Sequence, residues 1–91
     1  MSYINKVNEL INEAEIQYDK GMGDNAVFTY YIDEAIQVAN EIPSKKHKSN
    51  ALTNISNSLC NKEQYDKAIQ VANEIPSKKH KSEILYDLSN S

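Results

Sequence analysis

The most regularly spaced polar groups in this chain are carboxamides. Asn5, Asn8 and Asn12 recur at intervals of three and four residues, and so do Asn50, Asn54, Asn57 and Asn61. That spacing places side chains on one face of a helix. A carboxamide carries both donors and acceptors, so a row of them can satisfy the backbone of an extended peptide without demanding a particular side chain. The alternative is compositional: eleven Asn accompany ten Ile and ten Lys, as an AT-rich coding sequence produces.

A second constellation is basic. Lys45, Lys46, His47 and Lys48 recur as Lys78, Lys79, His80 and Lys81, and the two clusters hold six of the ten lysines. On stacked helical hairpins they would share an edge, about 10 Å apart, able to hold phosphates or an acidic partner. The chain has no Arg, so the bidentate forks of most nucleic-acid readers are missing. No aromatic residue interleaves with the lysines, which removes a stacking platform for single strands and makes nucleic acid an unlikely partner. The competing explanation is a pair of solvated turns after helix C-termini, where cations complement the macrodipole.

Catalytic chemistry finds little support. His47 and His80, as repeat equivalents, lie too far apart to share a metal, and Cys60 has no nearby His in the sequence to activate it. No Gly-rich phosphate loop, nucleophile elbow or paired-carboxylate motif occurs. The chain is expected to be no enzyme and to need no metal or cofactor. Tyr30 and Tyr31 are adjacent, so a helix that buries Phe28 and Ile32 leaves one of the two rings at least partly exposed, a favoured kind of interface anchor.

The elements that position these groups follow from an internal repeat. Residues 35–49 read AIQVANEIPSKKHKS and residues 68–82 repeat all fifteen positions, a period of 33 residues. In that register the chain stops part-way through a third copy. A period in the low thirties suits one helical hairpin with its turns. Ile4, Val7, Ile11, Ala14 and Tyr18 form one apolar stripe; Phe28, Ile32, Ala35, Ile36 and Ala39 form a second. Ala51, Leu52, Ile55 and Leu59 form a third, and Tyr65, Ala68, Ile69, Ala72 and Ile75 a fourth. Pro43 and Pro76 end the second and fourth helices, and Asp24 or Asn25 caps the second. The spacing predicts helices near 3–20, 25–42, 46–61, 63–75 and 80–90, with Ser49 and Ser82 as alternative caps for the third and fifth.

The unit from Asn50 to Ser82 resembles a degenerate tetratricopeptide-like repeat, with HEAT-like hairpins as the rival. Leu52, Ile55, Leu59, Tyr65, Ala68 and Ala72 stand at that family's helix-packing positions, while Leu52 and Ser56 replace its preferred Trp and Gly. The resemblance implies an all-α fold, a right-handed α-hairpin repeat or short solenoid of about five antiparallel helices. It further implies that the first helix of each hairpin lines a groove, where Asn50, Thr53, Asn57 and Asn61 match peptide-contacting positions. One domain over 1–91 is expected, with a divergent first hairpin at 1–45, a second at 46–78 and a capping helix at 79–91.

With 91 residues, such a chain has room for one modest core. A single Cys permits no internal disulfide, the apolar runs are too short to span a bilayer, and the polar start MSYINKVNEL lacks a signal-peptide core. A cytoplasmic location without membrane contact is therefore expected. Residues 1–42 hold two Lys against eight acids and residues 43–91 hold eight Lys against five. The expected function is a protein-protein interaction module or adaptor using the asparagine face, with Tyr30 or Tyr31. The alternative is a small inhibitor or nucleic-acid-proximal factor acting through the acidic first hairpin or the lysine edge. Two and a half units are few for a solenoid, so pairing with a second copy is also anticipated; a strictly monomeric species in light scattering would count against it.

Overall fold

The computed structural model describes residues 2–21 and 25–89, the side chains of Asn25, His80 and residues 87–89 excepted. Five helices follow one another: α1 (Tyr3–Lys20), α2 (Asn25–Asn40), α3 (Lys45–Asn61), α4 (Tyr65–Asn73) and α5 (Lys78–Ser89). No strand occurs among the described residues, and no helix among them is long and apolar enough to cross a membrane. The expected cap at Asp24 and the tail at Asn90 and Ser91 lie outside the described residues.

Repeated sequence yields repeated local structure. After α2, the N–H groups of Glu41 and Ile42 donate to Val38 and Ala39 carbonyls at 3.1 and 3.2 Å. After α4, Glu74 and Ile75 do the same to Val71 and Ala72 at 3.0 and 3.1 Å. Each helix thus tightens into a three-residue turn before the following proline, whose ring disfavours helical geometry at the residue ahead of it. This ends α2 and α4 at Asn40 and Asn73, two residues short of the predicted 42 and 75.

At the other end of each shared segment the helices start one and two residues earlier than the predicted 46 and 80. Ser44 caps α3, its Oγ accepting the His47 N–H at 3.3 Å, and Lys48 N–H donates to the Ser44 carbonyl at 2.8 Å. The Lys81 N–H likewise reaches the Ser77 carbonyl at 3.0 Å. The helices therefore begin at Lys45 and Lys78, and the basic clusters form their first turns instead of following a helix C-terminus. Ser49 is no cap. It is fully buried, and its Oγ accepts the Ser77 N–H at 3.0 Å, tying the turn before α5 to the body of α3.

Packing joins the helices in two rows. α1 and α2 form a hairpin: Tyr18 meets Phe28 edge-on at 5.4 Å near the turn, while Tyr3 and Val38 line one cleft at the opposite end. α3 and α4 form a second hairpin, in which the buried Ser56 donates to the Ala68 carbonyl at 3.4 Å. A small residue at 56 lets the two backbones approach. α3 touches both helices of the first hairpin, and α5 touches both α3 and α4. The Cα envelope measures 36 × 35 × 14 Å. A thickness of 14 Å is that of two packed helices, whose axes lie about 8–10 Å apart.

The core runs between the rows. Val7, Ala14, Phe28, Ile32, Ala35, Ala39, Ala51, Leu52, Ile55, Leu59, Ala68 and Ala72 are completely buried. The predicted stripes of α1, α2 and α3 face this core, with Ile4, Tyr18 and Ile36 partly buried against it. α4 differs. Val71 packs inward beside Ala68, Ala72 and Ile75, whereas Tyr65 and Ile69 are 42% and 40% exposed. Their counterparts on α2, Ile32 and Ile36, are covered, because α2 has 16 residues to the 9 of α4 and is matched by a long α1.

The α3–α4 turn contains Glu63 at φ 60°, the one non-glycine residue with positive φ among those described. Gln64 N–H donates to the Leu59 carbonyl at 2.8 Å and Glu63 N–H to Cys60 at 3.0 Å, the Schellman arrangement that favours glycine at the left-handed position. This is why α4 starts at Tyr65 and not at 63. Replacing Glu63 by Gly is expected to raise the unfolding free energy by about 1 kcal/mol, read as a higher urea midpoint at unchanged m-value.

Candidate functional site

The two asparagine rows come together because α1 and α3 lie side by side and parallel. Three contacts fix the register. Asn54 Nδ2 donates to Asn8 Oδ1 at 3.4 Å, Ser58 Oγ donates to Glu15 Oε2 at 3.1 Å, and Lys62 Nζ pairs with Asp19 at 3.1 Å while lying 4.9 Å from the Tyr18 ring centroid. Going from one end to the other, 8 meets 54, 15 meets 58 and 19 meets 62. The Asn8–Asn54 bond is long for an N–H···O contact and exposed, so it aligns the rows more than it stabilises them.

Asn5, Asn8, Asn12, Asn54, Asn57 and Asn61 are all exposed, and Asn50 is half-buried. Their carboxamides stand on the solvent side of α1 and α3, opposite Val7, Ile11 and Ala14 of α1 and Leu52, Ile55 and Leu59 of α3, which are buried. Thr53 lies beside them, partly covered; its Oγ1 is buried without a hydrogen-bond partner. A buried hydroxyl with no partner is costly.

Tyr30 and Tyr31 sit on α2. Tyr30 is 59% exposed and packs edge-on against Tyr31 at 5.3 Å, while Tyr31 is partly buried on the core. One exposed ring of the two is what their adjacency requires, yet they occupy a different helix from the carboxamide rows.

The basic clusters converge as well. Lys45 and Lys46 from the start of α3 and Lys78 from the start of α5 line one open cleft of ≈ 530 Å³, together with Pro76 and Ser77. Lys48 and Lys81 are half-buried, His47 is exposed, and the His80 side chain lies outside the described residues. Neither α3 nor α5 has an acidic residue in its first turn. Cations there oppose the positive end of the helix, so the macrodipole, which would explain lysines after a helix, makes this placement unfavourable. Lys45→Glu and Lys78→Glu are each expected to stabilise the fold by about 0.5 kcal/mol at low ionic strength, a gain that shrinks in high salt when thermal unfolding is compared.

The acidic half of the chain is partly engaged with the basic half. Asp19 pairs with Lys62, Asp33 with Lys67 at 2.8 Å, and Glu15 accepts from the buried Ser58. Cys60 is half-buried on α3. These cross-links between α1 or α2 and the following hairpin escaped sequence reading, although opposite charges in the two halves were the available signal. No family model, curated protein or solved structure matches the chain.

Proposed function

We propose that this chain is a protein-interaction module, a short right-handed hairpin repeat of tetratricopeptide-like kind, that holds an extended segment of a partner along the shared face of α1 and α3. The observation that carries the reading is the meeting of the two carboxamide rows at Asn8 and Asn54. The seven asparagines of the two helices, six of them exposed, supply donors and acceptors suited to a peptide backbone. The parallel placement of α1 and α3, and the entry of α3 and α5 through one repeated fifteen-residue segment, support a stacked-hairpin architecture. A body two helices thick also favours recognition on a face over an enclosed site.

The inhibitor reading draws less support, since three of the eight acids of the first hairpin, Asp19, Asp33 and Glu15, already have partners within the molecule. Panning a random peptide library against the wild-type chain and against Asn54→Ala/Asn57→Ala tests the proposal. Enrichment is expected for the wild type and is expected to disappear in the double variant. Affinity of the selected peptides should change less than about threefold when salt rises from about 50 to 500 mM, because carboxamide contacts are not screened. Peptides that bind both proteins equally, or whose binding collapses with salt, would refute the carboxamide face.

A further inference from the structure

Beyond the carboxamide face, the duplicated lysine turns form a site of their own. The geometry points to a binding site for a small polyphosphate, inorganic or nucleotide-borne, in the cleft between the starts of α3 and α5, held by Lys45, Lys46 and Lys78. The charge there is concentrated against the trend of the molecule: the chain as a whole carries a net charge of −3, yet no carboxylate is among the residues lining this cleft. Among the described residues, none of the six clustered lysines forms an ion pair, as is also true of the isolated Lys6 and Lys20; only in the clusters do several unpaired cations lie together. The clusters are thus left unneutralised at a place where the helix ends add to their repulsion.

Size and chemistry narrow the ligand. The cleft, ≈ 530 Å³ and open to solvent, has room for a short polyphosphate to reach all three lysines. Lysine ammonium groups serve phosphate as point charges, and with no Arg in the chain recognition here rests on charge and not on a bidentate fork. No aromatic side chain lines the cleft, so nothing there would stack on bases. Ser49 joins the two walls: by accepting the Ser77 N–H it anchors the turn that leads into Lys78 to the helix that carries Lys45 and Lys46. The arrangement is therefore built by the repeat itself.

Calorimetric titration of the full chain at about 50 mM salt, with inorganic tripolyphosphate, orthophosphate, ATP and a single-stranded RNA decamer as probes, tests this. Tripolyphosphate and ATP should bind with similar affinity and orthophosphate more weakly. Lys45→Gln/Lys46→Gln/Lys78→Gln should weaken tripolyphosphate binding at least about tenfold, and the exposed Lys20→Gln on α1 should change it less than about twofold. Circular dichroism of each variant confirms that the fold is retained. Failure of the wild type to bind tripolyphosphate, or equal binding by the triple variant, would overturn the assignment. So would an equal loss in Lys20→Gln, which marks diffuse charge, or far tighter RNA binding lost in the same triple variant, which marks a nucleic-acid edge.

Discussion

Leu52→Ala is expected to lower the unfolding free energy by about 3 kcal/mol, against about 1 kcal/mol for Leu85→Ala at the equivalent position one repeat later. Both residues occupy the same place in the 33-residue period. Leu52 is completely buried in the core, whereas Leu85 on α5 is only partly buried against it. The side chain removed is identical, so the difference in cost measures what the neighbouring helices add. For a chain of this size, with a total stability of about 5–14 kcal/mol, the Leu52 loss is a large share. Urea unfolding of the two variants at equal m-value gives the comparison, and equal losses would contradict the packing described above.

Ser49→Ala should cost about 2 kcal/mol and Ser82→Ala less than about 0.5 kcal/mol. The fifteen residues ending at each serine are the same, yet Ser49 is fully buried and accepts the Ser77 N–H, while Ser82 is exposed. Removing the Ser49 hydroxyl leaves that amide without its acceptor in a partly enclosed turn. Because the same turn positions Lys78, Ser49→Ala is also expected to speed amide hydrogen exchange at Ser77, which mass spectrometry of the 74–82 segment detects. An exchange rate unchanged from wild type would mean that another group holds the turn.

The five helices were legible because their apolar periodicity is strong and two identical segments enforce the same breaks at Pro43 and Pro76. Their N-termini were less so. The segment SKKHKS has a serine at each end, and either Ser44 or Ser49 has the chemistry of a cap; burial of Ser49 decides between them, and burial is set by packing that the linear pattern does not contain. A cap at Ser44 instead of Ser49 puts the lysines in the first turn of a helix, where the sign of their interaction with the macrodipole is the reverse of that after a helix C-terminus. Glu63 was invisible for a related reason, since a left-handed position filled by Glu carries none of the usual Gly or Asn signal.

The carboxamide rows were readable one helix at a time, but their meeting was not. Asn8 pairs with a residue 46 positions on, whereas the sequence period is 33, because the first hairpin has a longer second helix and a divergent first one. Tyr65 and Ile69 show the converse. A stripe that looked buried by analogy with Ile32 and Ile36 is exposed, since α4 is a turn and a half to two turns shorter than α2 and nothing among the described residues covers that side.

The most direct test of the proposed module is quantitative capture from nuclease-treated lysate of the cell that makes the protein. Three baits are compared: wild type, Asn54→Ala/Asn57→Ala, and Lys45→Gln/Lys46→Gln/Lys78→Gln. A partner held by the carboxamide face is retained by the wild type and the lysine variant and lost from the asparagine variant. Retention of every captured protein by the asparagine variant, or loss confined to the lysine variant, would contradict the account.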